Sequence, residues 1–202
     1  MTAKIENCPR AFILPEAKQK MDMYIQIAEG EISGLGKARQ LGRDFLAEEV
    51  FIFEQDSDFS TTELDSQAVS KWLTELVRQG KNPAEIKLWW HSHDRDVFWS
   101  QKDNRTIDGF ANKWMLSIVG NKRGDYLIRL DLYEPIRLTI DGLSLEIYYP
   151  ENKTLKEEIE KEIKAKVKIR IPELVGIELF KGGKTRRGKI EGVNEKSGGA
   201  QK

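Results

Sequence analysis

At 202 residues the chain suits one domain with a single hydrophobic core and a tail, and is short for two full domains. Its 33 Lys and Arg balance 33 Asp and Glu, so no global field draws it onto nucleic acid or an anionic membrane. Cys8 is the only cysteine, which excludes an internal disulfide framework and a multi-cysteine zinc site and fits a reducing compartment.

The first apolar run, Ala11 to Leu14, is too short for a signal-peptide core, and no later stretch reaches transmembrane length. The expectation is a soluble, cytoplasmic protein. Pro15 suits a first helical turn, and Ala17, Met21, Tyr24, Ile25 and Ala28 recur at helical spacing until Gly30. Glu31 to Gly36 (EISGLG) reads as a short strand with glycines where backbone or ligand comes close. A polar turn, KARQLGRD, then leads to a strand at Val50 to Phe53 and completes a hairpin. Leu64, Ala68, Val69, Trp72, Leu73, Leu76 and Val77 form the apolar stripe of a second helix that Gly80 stops. Asn82 and Pro83 turn the chain into the apolar run Ile86 to Trp90.

Both histidines of the chain follow that run, as His91 and His93. A strand sends side chains i and i+2 to the same face, so the two imidazoles project side by side and can share one ion. Ser100 then caps a helix with Asp103 at its third position, a variant of the capping box. A carboxylate in the first helical turn can face an ion while the Ser hydroxyl serves backbone donors, so Asp103 is the candidate third ligand. Hydrolytic zinc takes three nitrogen or carboxylate donors and keeps a fourth position for water.

Strand-like runs follow at Trp114 to Val119, Tyr126 to Tyr133 and Ile136 to Tyr149, with a hairpin turn at NKRGD. The core closes near Pro150. Residues 151–168 read as a charged helix, with opposite charges three and four apart and a thin stripe of Leu155, Ile159, Ile163 and Val167. The division expected is a catalytic domain over 1–150, a helix and extension packed on it over 151–180, and a flexible basic tail over 181–202. KGGKTRRGK in that tail could act as a basic arm, but the core lacks interleaved aromatic and basic residues, so nucleic acid is not the expected partner.

HSH followed by FWSQKD, with EISGLG upstream, resembles the JAB/MPN (JAMM) metalloprotease family, over roughly Met21 to Tyr149, and its compact prokaryotic members most of all. The resemblance implies an α/β, cytidine-deaminase-like fold, a mixed β-sheet flanked by helices. It also implies a single zinc ion on His91, His93 and Asp103, with Glu31 as general base and Ser100 beside the oxyanion. The activity implied is hydrolysis of a peptide or isopeptide bond, with a ubiquitin-like protein conjugate as the candidate substrate. Two features depart from the family pattern. Six residues separate His93 from Ser100 where the family usually has seven, and Asp94 stands where a proline is common. The short loop leaves two alternatives open: Asp94 or Asp96 as third ligand, or a catalytically silent JAMM-fold scaffold that binds protein partners. Trp99, next to Ser100, is placed to line the cleft, whereas Trp89 and Trp90 read as core. Deaminase chemistry is disfavoured because its Pro-Cys-x-x-Cys element is missing.

Overall fold

The computed structural model describes residues 8–110 and 112–168. The chain divides into two compact units, Met1–Glu151 and Asn152–Lys202. The first is an α/β unit built on an eight-stranded mixed sheet.

Its elements run β1 (Ala11–Ile13), α1 (Pro15–Ile27), β2 (Ser33–Leu41), β3 (Asp44–Ile52), β4 (Gln55–Ser57), β5 (Thr62–Leu64) and α2 (Ser66–Arg78). They continue as β6 (Ile86–His93), α3 (Gln101–Asp108), β7 (Trp114–Asn121), β8 (Tyr126–Leu132), β9 (Leu138–Leu143) and β10 (Leu145–Ile147). The sheet order is β10-β1-β3-β2-β6-β7-β8-β9, and β4 and β5 make a separate two-stranded hairpin. β6 and β7 are parallel neighbours joined across α3, while β2 flanks β6 antiparallel on its other side. Only Ser144 separates β9 from β10, which lie at opposite ends of the strand order, so the sheet curls until it nearly closes like a barrel.

Each face of the sheet has its own core, because alternate residues of a strand face opposite ways. Leu88 and Trp90 of β6 and Leu116 and Ile118 of β7 pack with Ala17, Met21 and Ile25 of α1. Trp89 of β6 and Met115 of β7 face the other way, toward Leu76 of α2 and Ile107 of α3. Both helices are capped as their sequences require. Asp65 accepts from the N–H groups of Gln67 (2.7 Å) and Ala68 (3.0 Å) at the start of α2, and Ser100 and Asp103 form a reciprocal capping box on α3.

The structure redraws several sequence expectations. Glu31 precedes β2 instead of opening it. KARQLGRD is mostly strand: β2 runs to Leu41, and the turn is only Gly42 and Arg43, with Gly42 at φ 64°. The polar residues there mark the exposed end of a long hairpin, where side chains meet water although the backbone stays paired. The single strand expected over Ile136 to Tyr149 is two strands, which break at Ser144, two residues past Gly142 (φ 73°), as the chain passes from one sheet edge to the other. β1, β4 and β5 had no counterpart in the sequence reading.

In the second unit, α4 (Lys153–Lys166) is capped by Asn152, whose side chain accepts from the Leu155 N–H at 3.0 Å. The remainder of the expected extension, from 169, and the basic tail lie outside the described residues.

Candidate metal centre

β6 carries both histidines to the face that α3 covers. His91 pairs in register with Ser33 of β2 and Val119 of β7, and His93 with Asn121 of β7. Both rings are buried, at 2% and 7% exposure. The His91 ring is stacked on the indole of Trp89, with centroids 4.4 Å apart and planes at 17°. Its Nδ1 is buried without a hydrogen-bond partner among the described residues. A metal-ligating histidine usually donates that second N–H to an oxygen, so here stacking instead of a hydrogen bond aims Nε2. Trp89 therefore does more than fill the core.

Asp103 comes from the first turn of α3. Its Oδ2 accepts from the Ser100 N–H at 2.7 Å, and its own N–H donates to Ser100 Oγ at 3.1 Å. These bonds fix the carboxylate while leaving Oδ1 free to face His91. The loop between His93 and Ser100 is braced by neighbouring strands: Asn121 Nδ2 and Arg123 Nη2 both donate to the Arg95 carbonyl, at 2.5 and 2.6 Å. Trp99 Nε1 donates to Asp141 Oδ1 of β9 at 2.9 Å, so Trp99 anchors the loop and does not line the cavity. With this six-residue loop Asp103 faces both histidines. Asp94 is exposed, and Asp96 is exposed and paired with Arg123, so neither joins the cluster.

His91 Nε2 lies 3.2 Å from His93 Nε2 and 3.3 Å from Asp103 Oδ1, and His93 Nε2 lies 3.5 Å from Asp103 Oδ2. A tetrahedral zinc ion held at 2.0–2.1 Å needs donors ~3.3 Å apart, so this donor set has the size and chemistry for zinc. Among the described residues it is the one group of three or more His, Cys, Asp or Glu whose ligand atoms all converge, within 4.8 Å of one another.

The electrostatics differ at the three groups. Burial holds the His91 imidazole below its ordinary pKa and keeps it neutral. Burial also opposes charge on His93, but its hydrogen bond to Asp103 and the carboxylates of Glu31 and Asp103 raise it above the ordinary value. Burial opposes charge on Asp103 too, yet hydrogen bonds with His91 and His93 overrule it and hold the carboxyl well below the usual range. These pulls favour an anionic Asp103 and strengthen the hold of His93 on its proton, so a cation at the three donors would compete with that proton.

The cluster opens into a cavity of about 250 Å³ lined by Glu31, Ser60, Thr61, Thr62, Trp89, His91, His93, Phe98, Ser100, Lys102, Asp103 and Thr106. All five candidate site residues from the sequence therefore meet in one cavity. Glu31 is placed by the β4–β5 hairpin: its N–H donates to the Asp58 carbonyl at 2.8 Å, and its carbonyl accepts from Ser57 Oγ. Gln55 docks that hairpin on β2, taking the Ser33 N–H at 2.9 Å and donating to the Ser33 carbonyl at 3.1 Å. Burial, helped by Asp103 and Asp58, raises the Glu31 carboxyl above its ordinary pKa against the pull of His93 and Lys102. Phe98, whose ring centroid is 4.5 Å from that of His93, Lys102 and the Ser60–Thr62 turn are site residues that the sequence reading missed. A second, more apolar cavity of about 450 Å³ adjoins the first, sharing Thr62, Trp89, Lys102 and Thr106, with Leu35, Leu64, Val69 and Phe110 in its wall.

No protein-family model matches the chain, and no curated protein matches it. Among solved structures the fold is similar to the solution structure of protein DSY2949 from Desulfitobacterium hafniense, with a TM-score of 0.51 at 14% identity, over 69% of this chain and 94% of that one. At that identity the likeness speaks for the chain path alone. Among the described residues no helix is long and apolar enough to cross a membrane.

Proposed function

We propose that the protein is a JAMM-type zinc metallopeptidase or isopeptidase that hydrolyses a peptide or isopeptide bond, with a ubiquitin-like conjugate as the candidate substrate. The observation that carries this reading is the convergence of His91, His93 and Asp103 at zinc-donor spacing, in one cavity with Glu31 and Ser100. The three donors would hold the ion. When bound, zinc supplies Lewis acidity and lowers the pKa of its water toward neutrality.

The chain's own groups then divide the proton work. Glu31, its carboxyl made more basic first of all by burial, takes a proton from the attacking water and delivers it to the leaving amine. Ser100 Oγ commits a lone pair to the Asp103 N–H and keeps its own proton for the oxyanion that develops on the scissile carbonyl. The adjoining apolar cavity supports a substrate that brings an apolar side chain close to the bond cut.

The test is incubation of the zinc-loaded protein and its Glu31→Gln form with a panel of ubiquitin-like conjugates and fusions, scored by mass spectrometry. The expected result is about one zinc per chain in both forms. Cleavage by Glu31→Gln should be slower by ~10²–10⁴-fold, the usual share of a general acid–base group. Equal cleavage by both forms removes Glu31 from the reaction. Wild-type protein that holds no zinc tightly favours the catalytically silent scaffold.

A further inference from the structure

α3 carries the third donor, yet it has only eight residues, of which Asp103 and Ile107 alone are buried. So short a helix has little stability of its own, and its placement depends on what grips it. At the donor end the grip is polar. Asn104 Nδ2 donates to the Ser100 carbonyl at 2.9 Å, the same oxygen that receives the Asn104 backbone N–H at 3.1 Å. On its other side Asn104 Oδ1 accepts from Arg129 Nη1 of β8 at 2.5 Å. A guanidinium only donates, so the amide has one satisfactory orientation, with its oxygen toward Arg129 and its NH₂ toward Ser100. Arg129 is itself pinned, with Nη2 donating to Asp131 Oδ1 at 2.9 Å and side-chain exposures of 10% and 0% for the ion pair. A buried ion pair of this kind does not yield to small forces, because breaking it strands a charge.

We propose that Asn104, clamped by the Arg129–Asp131 pair, is a positioning residue that sets the Ser100–Asp103 turn against the two histidines and so determines the affinity of the metal centre. The path runs from β8 through Arg129, Asn104 and the Ser100 carbonyl to the capping box that aims the Asp103 carboxylate. It rests on the metal-site reading and adds to it a residue that touches neither metal nor substrate. At the opposite end of α3, Tyr133 Oη donates to the Ile107 carbonyl at 2.7 Å, which provides an internal comparison. That bond secures the helix but not the donor turn.

Zinc affinity is measured by chelator competition on full-length wild-type, Asn104→Leu, Asn104→Ala and Tyr133→Phe proteins, with the visible absorption of their cobalt(II) forms as a readout of donor geometry. Asn104→Leu and Asn104→Ala are expected to bind zinc ~10–100-fold more weakly, the usual effect of losing an outer partner of a ligand, and to show an altered cobalt spectrum. Tyr133→Phe is expected to melt at a lower temperature while keeping wild-type zinc affinity and spectrum. Two different substitutions at Asn104 guard against a fold defect in either one. Wild-type affinity and spectrum in the Asn104 variants overturn the proposal and leave the metal centre standing. Equal weakening by Tyr133→Phe overturns it as well, because any loosening of α3 would then suffice. Absence of zinc uptake by the wild type overturns the metal centre and this proposal together.

Discussion

Asp103→Asn separates the two roles of its carboxylate. The amide keeps an oxygen for the Ser100 N–H, now 2.7 Å from Oδ2, and the backbone N–H of residue 103 still donates to Ser100 Oγ, so the capping box survives. Its charge is lost, and with it the Oδ1 acceptor that faces His91 at 3.3 Å, while the oxygen kept at the Oδ2 position still faces His93, at 3.5 Å. Replacing charge-assisted hydrogen bonds by neutral ones costs the metal-free fold about 1 kcal/mol. For a chain of this size that lowers the melting midpoint by about 2–4 °C. The effect on metal should be larger. Loss of a mere outer partner weakens metal binding by about 10–100-fold, and removing a direct anionic donor should reach at least the upper figure. At a fixed excess of zinc, 100-fold weaker binding withdraws about 2.7 kcal/mol of the stabilisation that zinc confers. The zinc-induced rise in midpoint should therefore shrink by about 5–11 °C. Thermal unfolding followed by circular dichroism, with and without zinc, reads both quantities on the same samples. An Asn variant whose midpoint rises with zinc as far as the wild type's would refute the assignment of Asp103 as a ligand.

Proton competition gives the pH dependence a definite sign. His93 is raised above the ordinary imidazole value in the metal-free protein, so its proton is bound below that raised value and must leave before zinc binds. Zinc affinity should hold steady at high pH and fall about tenfold per pH unit once pH drops below the raised value, with the decline starting above ~6.5. Affinity flat from about pH 8 down to 6 would contradict it. Gly34→Ala tests the close strand packing beneath the site, since a Cβ there would sit 2.0 Å from the Phe51 carbonyl oxygen and 2.7 Å from Trp90 Nε1. Trp90 is fully buried and stacked on Tyr24 at 5.8 Å, so it cannot retreat. The expected cost is about 3 kcal/mol or more, the upper end for overpacking, read as a fall of at least about 6 °C in midpoint. A variant that melts within ~2 °C of the wild type would show that β2 can shift. Ser100→Ala should retain zinc and lose ~10²–10³-fold in turnover on whichever substrate the panel identifies, with turnover within a few-fold of wild type counting against an oxyanion role.

What the amino-acid order determined alone was local. The two-residue period of a strand places His91 and His93 on one face, and the Ser100 to Asp103 spacing writes a capping box, whatever the rest of the chain does. The helical stripes of α1 and α2 were legible for the same reason, as each is a repeat within a dozen residues. β1 was not, because three residues show no periodicity and become a strand only by pairing with β3 and β10, distant in sequence. The Lys37 to Leu41 segment reads as a turn because it is polar, with Arg39 and Gln40 meeting water, although its backbone is paired with β3. Whether Asp103, Asp94 or Asp96 faces the histidines depended on how Asn121, Arg123 and Asp141, from other strands, hold the short loop. The entry of Glu31 into the cavity depended on a hairpin more than twenty residues downstream that is docked by Gln55. Local periodicity specifies which way a side chain points from its own element. The meeting of side chains from different elements is set by long-range pairing and burial, and no window of sequence contains them.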